Sequence, residues 1–356
     1  MLDAEPASAD HDLVPRPSDL RVADISSRHI SLSPSRVVVS RIDRRRTMDE
    51  TTAALPGRRR RIGLMIAAAS AALFAGNAAG VATATPDVSH EQMVRLPEGD
   101  IHVVSSGAPS ADAVVLLHGL AGSTAWWDPV IPALQNRYVV RVDLLGHGKS
   151  AKPDSGYSMA EQARRVGDVL DRLGVRHAVV AGHSTGGYVA TSLAEQRRDL
   201  VTAIALIDTG SRLDAFTDNG PAGDLLFNPA IGQPLWPLLP DVVIRHSLSS
   251  AFTRDVRIPE QIVADVRGMT YRSLTATSNA SDAFLRERTE PDRVADLGLP
   301  TMVVFGSQDR RWPAASFEDY RRVPHVRIES LDCGHTPMIE EPEATGTLLR
   351  DFAEQY

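Results

Sequence analysis

The sequence predicts an α/β protein with a mostly parallel central sheet, helices on both faces and an inserted helical cap. Three observations lead to this fold class. Short apolar, β-branched segments appear from about residue 93, and helical segments alternate with them. Such alternation favours parallel strands with helices on both faces of the sheet. The alternation is interrupted once, at about residues 211–298, where no clear buried strand occurs.

Seven segments have the composition of buried strands. Each is a short run rich in apolar and β-branched residues, and glycine or aspartate commonly follows it. In chain order they are "IHVVSSG" (101–107), "AVVLLHG" (113–119), "YVVRVDLLGHGKS" (138–150), "HAVVAGHS" (177–184), "VTAIALIDT" (201–209), "TMVVFGSQD" (301–309) and "HVRIESLDCGH" (325–335).

The helices between these strands have their own signals. In "SMAEQARRVGDVLDRLG" (158–174), Ser158 and Glu161 form a capping box that predicts the start of a helix. A second helix is predicted to open at Thr185, directly after a strand, and a final one at about Pro342. The apolar stripes are formed by Val166, Leu170 and Leu173 in the first helix and by Leu348, Leu349 and Phe352 in the last.

The interval 211–298 is best explained as a helical cap over the sheet. Its helix-like segments include "PEQIVADVRGM" (259–269). The apolar residues expected on its inner face are Phe216, Leu225, Leu226, Phe227, Leu235, Trp236, Leu238 and Leu239. Most of them are expected to bury the cap against the body, and an apolar roof also favours a small-molecule substrate with an apolar part.

The N-terminal region is predicted to be separate from the α/β domain of residues 85–356. Residues 1–47 are predicted to be disordered or a mis-annotated extension, and residues 48–84 an export signal or a membrane anchor. The arginines at 58–61 precede an apolar run, and Ala82-Thr83-Ala84 has the pattern of a cleavage site. A secreted or cell-envelope protein is therefore expected, with a retained anchor or a cytoplasmic protein as alternatives. Any membrane contact is expected through this segment alone, if it stays uncleaved.

Composition and charge narrow the class of partner. The chain has 356 residues, of which 43% are hydrophobic, and its formal charge is −7. Residues 85–356 hold 26 Lys and Arg against 36 Asp and Glu, a formal charge of −10. Nucleic acid is excluded as an expected partner, because its phosphates would be repelled. Cys333 is the single cysteine, so an internal disulfide is impossible, and it is interpreted as a core residue.

Ser184 lies in "GHSTGG" (182–187), between a predicted strand and a predicted helix. A serine hydroxyl is a weak nucleophile at neutral pH and needs a base to take its proton. A sharp strand-to-helix turn forces unusual backbone angles and close approach of neighbouring chain, which explains Gly182 and Gly186. The following helix supplies N–H groups and partial positive charge where an oxyanion would form. Ser184 is therefore the candidate nucleophile.

Two further strand ends supply the partners that such a serine requires. Asp309 follows one predicted strand in "FGSQD", and His335 follows the next in "DCGH". The order Ser184, Asp309, His335 is that of a nucleophile–acid–base triad.

The loop "HGLAG" (118–122) ends another strand, so the N–H of Leu120 is a candidate oxyanion donor beside that of Thr185. The substrate pocket is expected to include aromatic residues near this loop and in the cap, with simple packing as the alternative. These candidates are Trp126, Trp127, Phe227 and Trp236. No Cys/His cluster has metal-ligand spacing, and no glycine-rich loop has phosphate-binding spacing.

From about residue 93 to its end, the chain resembles the α/β-hydrolase superfamily, in the lidded branch that contains esterases, C–C hydrolases and cofactor-free haloperoxidases. The motifs that carry the resemblance are "HGLAGS" (118–123), "DLLGHGKS" (143–150), "GHSTGG" (182–187), "FGSQD" (305–309) and "GHTPMIEEPE" (334–343). Haloalkane dehalogenases and epoxide hydrolases are similar too, but they carry aspartate where this chain has Ser184. Some members of the superfamily place the acid after an earlier strand, so the resemblance makes Asp208, in "ALIDTG", a rival for Asp309.

The sequence thus predicts a cofactor-free serine hydrolase for a carboxylic ester or related acyl bond. Ser184 attacks, His335 acts as base and then acid, and Asp309 orients His335. One alternative is the same triad used for C–C bond hydrolysis, perhydrolysis, elimination or cyclisation. A second is a non-catalytic ligand-binding member of the fold.

Overall fold

The computed structural model describes residues 89–217, 220–253 and 256–356. The predicted extension at 1–47 and the predicted export signal or anchor at 48–84 lie outside these residues. Among the described helices, none combines the length and the apolarity that crossing a bilayer requires.

Eight strands of the described residues form one sheet. In chain order they are β1 (His90–Val94), β2 (Ile101–Ser106), β3 (Asp112–Leu117), β4 (Val139–Val142), β5 (His177–His183), β6 (Val201–Ile207), β7 (Thr301–Gly306) and β8 (Arg327–Leu331). Their order across the sheet is β1-β2-β4-β3-β5-β6-β7-β8. β2 pairs antiparallel with β1 and β4, and all other pairs are parallel. The predicted mostly parallel sheet is confirmed.

Helices cover both faces of this sheet. The α-helices are α1 (Met159–Arg172), α2 (Thr185–Gln196), α3 (Gly220–Phe227), α4 (Pro229–Leu235), α5 (Asp241–Leu248), α6 (Glu260–Gly268), α7 (Tyr271–Glu287), α8 (Glu290–Leu297), α9 (Pro337–Glu340) and α10 (Pro342–Ala353). The 3₁₀ helices are Thr124–Leu134, Leu213–Ala215, Trp236–Leu238, Ser249–Ala251 and Ala314–Arg322. The predicted capping box is present at the start of α1, where Ser158 and Glu161 exchange side-chain-to-backbone hydrogen bonds.

The core has two apolar layers, because successive side chains of a strand point to opposite faces of the sheet. In β3, Val115 and Leu117 belong to one layer, and Val114 and Leu116 belong to the other. The first layer includes side chains of α1 and α2. The second includes side chains of the 3₁₀ helix Thr124–Leu134 and of α10.

The strand register places the site at one edge of the sheet. Leu117 at the end of β3 is level with Gly182 in β5, and His183 at the end of β5 is level with Ile207 in β6. Gly306 at the end of β7 is likewise level with Leu331 in β8. The loops that follow these parallel strands therefore meet at the carboxyl edge, where ligands bind in open α/β sheets.

Six α-helices, α3 to α8, lie between β6 and β7, in the interval predicted as a cap. A third apolar cluster joins α5 and α6 to Trp126 and Ala121, which follow β3. The end of the interval behaves differently, because α7 contacts α1 and α2, and α8 contacts α2. The last part of the predicted cap interval therefore packs against the body of the domain.

A buried carboxyl group at the start of α8 makes stability depend on pH. Glu290 is fully buried, its Oε1 accepts a hydrogen bond from Thr191 Oγ1, and its Oε2 has no hydrogen-bond partner among the described residues. Burial raises the pKa of Glu290 from 4.5 to about 8. As the pH rises above 4.5, the unfolded chain releases this proton while the folded chain keeps it. The free energy of unfolding therefore falls by about 1.4 kcal/mol per pH unit until about pH 8.

We expect Glu290→Gln to stabilise the protein at pH 8 and to have a much smaller effect at pH 5, because glutamine has no proton to lose. Urea unfolding at both pH values measures the difference. Glu287→Gln is the matched control, because Glu287 also lies near Arg293 but is exposed. An equal change in stability at pH 5 and pH 8 would contradict the prediction.

Candidate active site

Ser184 lies at the tip of the turn between β5 and α2. Its φ is +50°, in the left-handed region, and its N–H donates to Ile207 O at 2.8 Å. A Cβ added to Gly182 would lie 2.3 Å from Gly186 O, and one added to Gly186 would lie 2.4 Å from Leu117 O. Both positions therefore require glycine. The turn holds the half-buried Ser184 at the carboxyl edge of the sheet in a strained conformation, as functional sites often do.

Asp309 and His335 are joined by a hydrogen bond. Asp309 Oδ2 lies 2.8 Å from His335 Nδ1, and both side chains are buried. Asp309 Oδ1 also accepts from the N–H groups of Arg311 at 2.7 Å and Trp312 at 3.2 Å. Burial alone would raise the pKa of Asp309, but the charge and hydrogen bond of His335 and these two N–H groups outweigh it. They hold the pKa below its usual value. Because an ionised Asp309 only accepts, His335 Nδ1 must be the donor, which fixes the tautomer.

The main chain of His335 is held from two sides. Its N–H donates to Ala251 O at 2.9 Å, and its carbonyl oxygen accepts from His183 Nε2 at 2.7 Å. Burial, followed by the proximity of His335, lowers the pKa of His183 well below its usual value, so His183 stays neutral. His183 therefore serves as a support for His335.

The cap also forms hydrogen bonds directly with the loops that carry Asp309 and His335. Thr336 Oγ1 lies 3.3 Å from Ala251 O, and the Arg310 guanidinium donates to Ser249 O at 2.6 Å and Phe252 O at 2.7 Å. Glu340 links the same two segments, because its carboxylate accepts hydrogen bonds from Thr336 Oγ1 at 2.9 Å and from Thr253 N–H at 2.8 Å. These contacts make the cap segment 249–253 part of the support of His335.

The loop after β3 lies beside the serine. A Cβ added to Gly119 would lie 3.1 Å from Ser184 Cβ, which shows how closely the two approach. His118 fixes this loop, because its Nδ1 donates to Gly119 O at 2.8 Å and its Nε2 accepts from Leu144 N–H at 3.0 Å. In the described part of the chain, neither the Leu120 N–H nor the Thr185 N–H donates to a protein acceptor. Both groups are therefore available to an oxyanion.

Asp143 and His147 belong to the loop structure. Asp143 accepts from Thr124 N–H at 2.6 Å, Lys149 N–H at 2.8 Å and His102 Nδ1 at 2.7 Å. Burial acts to raise its pKa, but these donors hold it at about 2. Burial lowers the pKa of His147 to about 3, so it stays neutral.

Asp309, and not Asp208, bonds to His335. Asp208 lies beside them, and one side-chain atom from each of Asp208, Asp309 and His335 falls within 4.8 Å of the others. Among the described residues, this is the one group of three or more His, Cys, Asp or Glu side chains with metal-ligand proximity. Within this group, Asp309 Oδ2 and His335 Nδ1 are already hydrogen-bonded to each other. Cys333 is buried, and burial raises the pKa of its thiol, so it is not an activated nucleophile.

The four predicted pocket aromatics separate into two groups. Trp127 is fully buried in the apolar layer that contains Leu349 and Phe352 of α10, which is the simple packing given above as the alternative. Trp126 instead belongs to the cap cluster, and its ring centroid lies 6.0 Å from that of His183. Phe227 and Trp236 are half-buried against the same cluster.

Some residues predicted for the inner face of the cap point outward instead. Leu225, Leu235 and Leu238 are 50%, 44% and 73% exposed. They lie on or beside helices of three to eight residues, so only part of the predicted apolar roof faces the body.

The sequence reasoning missed Asp265, which joins the cap to the loop after β3. Its Oδ2 accepts from Ser123 Oγ at 2.8 Å and from Trp126 Nε1 at 2.9 Å, and its Oδ1 accepts from Gln261 Nε2 at 2.9 Å. The available signal was its place on the apolar stripe of α6, three residues after Ile262. Charged residues at such positions are rarely buried unless they are paired.

We expect Asp265→Ala to raise KM about 5- to 20-fold with a smaller effect on kcat. The Ser123 hydroxyl and the Trp126 indole N–H would be left buried and unpaired, at about 1–3 kcal/mol each. Substrate binding is expected to weaken more than the chemical step, because Asp265 positions the cap and does not contact Asp309 or His335. Steady-state kinetics measures it, with Asp241→Ala, which breaks an exposed cap ion pair, as control. A fall in kcat at constant KM would contradict the prediction.

Together, the strand-turn-helix serine, the Asp–His pair and the two available N–H groups are the arrangement of an α/β-hydrolase-fold protein. Residues 114–346 match the model of the alpha/beta hydrolase family, and the chain belongs to this family.

Three proteins similar to this chain carry names of different activities. The chain is 29% identical over 260 residues to a "2-hydroxy-6-oxo-6-(2'-aminophenyl)hexa-2,4-dienoic acid hydrolase" of Metapseudomonas resinovorans, covering 66% of this chain and 82% of the relative. The solved structure "Epoxide hydrolase CorEH without ligand" aligns at a TM-score of 0.63 and 26% identity, covering 76% of this chain and 100% of that one. "Est816 as an N-Acyl homoserine lactone degrading enzyme" aligns at 0.60 and 25%, covering 73% and 100%. These similarities support a hydrolase.

Proposed function

We propose that this hydrolase cleaves a carboxylic ester or a related acyl bond of a partly apolar small molecule, through an acyl-enzyme on Ser184. The observation that carries the proposal is the bond between His335 Nδ1 and Asp309 Oδ2, on loops that meet Ser184 at the carboxyl edge of the sheet. With Nδ1 held by Asp309, the Nε2 of His335 is the nitrogen that can accept a proton.

The reaction has two halves. Ser184 Oγ attacks the carbonyl carbon while His335 Nε2 takes the hydroxyl proton, and the Leu120 and Thr185 N–H groups bind the resulting oxyanion. Each such donor is worth about 3–4 kcal/mol of barrier. The intermediate then expels the alcohol, which takes the proton from His335. A water molecule, deprotonated by His335, then attacks the acyl-enzyme, and His335 returns the proton to Ser184 Oγ as the acid is released.

A panel of p-nitrophenyl esters of increasing chain length tests the proposal. We expect turnover with a burst of p-nitrophenol equal to the enzyme concentration wherever deacylation is slow. The apolar cap cluster around Trp126 supports a preference for acyl chains longer than acetyl. The proposal fails if no ester in the panel acylates the protein.

C–C bond hydrolysis is the second candidate, favoured by the 29% identity to the Metapseudomonas resinovorans hydrolase named above. A C–C hydrolase would cleave a vinylogous diketone faster than any ester of the panel and would show little acyl-enzyme burst. Neither reaction would be found in a purely ligand-binding member of the fold.

We also propose that residues 58–84 direct export, with cleavage after Ala84. The support is the order of the arginine run, the apolar stretch and Ala82-Thr83-Ala84. N-terminal sequencing of the secreted protein, expressed from Met48, is expected to begin at Thr85. A chain that starts at Thr85 is expected to be soluble and active. An intact N-terminus in the membrane fraction would favour an anchor, and an unprocessed cytosolic protein would contradict both.

A further inference from the structure

Asp208 is a second carboxyl group beside the Asp309–His335 pair, and the reaction described above gives it no role. It follows β6 directly, it is 0% exposed, and its φ is +43°. Such a backbone angle is costly for a residue other than glycine, although Asp and Asn tolerate it best. The backbone conformation of Asp208 thus holds its carboxyl group near Asp309 and His335.

The two oxygens of Asp208 have different surroundings. Oδ1 accepts a hydrogen bond from Gly306 N–H at 2.9 Å. Oδ2 is fully buried and accepts no hydrogen bond from any group in the described residues. An ionised carboxylate can only accept, so it would leave this oxygen buried and unpaired, whereas a protonated carboxyl group can donate from it.

The charges around Asp208 favour the protonated form. The titratable groups that face it come from three elements: Asp309 after β7, Cys333 and His335 after β8, and Glu340 in α9. Burial first, and the negative charge of Asp309 second, raise the pKa of Asp208 well above its usual value. Asp309, in contrast, is surrounded by three donors and remains the ionised member of the two.

We propose that Asp208 is a neutral carboxylic acid whose Oδ2–H donates to Asp309, which makes Asp208 a positioning residue for the Asp309–His335 pair. The pair of carboxyl groups then carries one negative charge, equal to the one positive charge that develops on His335 during catalysis. A second ionised carboxylate beside His335 would favour the protonated imidazole, which cannot take the serine proton. The role rests on the proposed function, but the protonation state does not.

Infrared difference spectra test the protonation state without any substrate. Wild type minus Asp208→Asn at pH 7 is expected to show one protonated-carboxyl C=O band and no carboxylate bands. Asp332→Asn, which changes an exposed aspartate near the same strand ends, is expected to show carboxylate bands instead. Carboxylate bands in the Asp208→Asn difference would overturn the proposal, whether or not the protein hydrolyses esters.

Kinetics test the positioning role. Asparagine keeps a donor and tolerates a positive φ, and glycine tolerates the angle but has no donor. Asp208→Asn is therefore expected to retain at least about a third of kcat and to move the acid limb of the kcat/KM profile by less than about 0.3 pH units. Asp208→Gly is expected to lose at least tenfold in kcat with KM changed less than about threefold.

Two outcomes would overturn the positioning role. One is an acid limb that moves down by about one pH unit in Asp208→Asn, because this is the signature of a lost negative charge. The other is equal kcat for the asparagine and glycine variants. If no ester is turned over, the proposed function has failed, and the infrared result still decides whether Asp208 is neutral.

Discussion

Ser184→Ala is expected to reduce kcat for an activated ester by about a million-fold, to the level left by binding and oxyanion stabilisation alone. A large effect is expected because, in the proposed mechanism, the Ser184 oxygen forms the bond that splits the reaction into two steps. The β5–α2 turn should survive the change, since alanine differs from serine by one oxygen and the Ser184 side chain makes no capping bond to the helix.

A fluorophosphonate probe provides the second measurement. Wild type is expected to be labelled on the peptide that contains Ser184, and Ser184→Ala is expected to take up no label. Ser281→Ala is the matched control, because Ser281 Oγ lies 3.2 Å from Thr185 Oγ1 and is the neighbouring serine hydroxyl. Stoichiometric labelling of Ser184→Ala would show that another residue is the nucleophile.

Asp309→Asn is expected to reduce kcat by about 10⁴-fold while KM changes little. The amide NH₂ cannot accept from His335 Nδ1, so the imidazole would hold its proton on Nε2, where the serine proton has to go. The amide oxygen would still accept hydrogen bonds from Arg311 N–H and Trp312 N–H, which should keep the loop in place.

The rival acid provides the comparison for this prediction. Asp208→Asn is expected to be much less harmful than Asp309→Asn, and the exposed Asp332→Asn harmless. If Asp208→Asn were the more damaging change, the acid would be the one after β6. Circular dichroism and thermal melts of the three variants separate a lost proton acceptor from a lost fold.

The seven strands β2 to β8 could be predicted because their apolar runs differ clearly from the segments between them, although β8, at the other edge, is only partly buried. β1 escaped because it is an edge strand in which only Val94 is buried, and such strands are commonly polar. The connection from β1 to β2 is six residues long, too short for a crossover, which makes this pair antiparallel. An alternating strand–helix pattern does not predict such an antiparallel hairpin.

The separation of Trp126 from Trp127 has a similar physical reason. Neighbouring residues on a helix point about 100–120° apart, so two consecutive indoles cannot both face the serine. The sequence places both indoles just after the loop that follows β3, and only the direction of the helix Thr124–Leu134 determines which apolar cluster each one enters. The same applies to Leu225, Leu235 and Leu238, whose helices are too short to display a periodicity.

The nucleophile, acid and base candidates were accessible from sequence because each follows a strand directly, and parallel strands bring their ends together. The supporting carboxyl groups of Asp265 and Glu340 were not accessible in this way. Each is held by donors from distant parts of the chain, such as Ser123 for Asp265 and Thr253 for Glu340. Their roles depend on contacts that no local pattern encodes.

The hydrogen bonds between segment 249–253 and the His335 loop limit which parts of the cap can be exchanged. Exchanging caps between homologues is an obvious route to new substrate ranges, and it assumes that the cap is an independent module. Here a graft that replaces all of residues 211–298 would also remove the carbonyl of Ala251, to which the His335 N–H donates. Chimaeras with boundaries that preserve residues 249–253 should keep a working base, whereas whole-cap exchanges should fail in chemistry before they fail in binding.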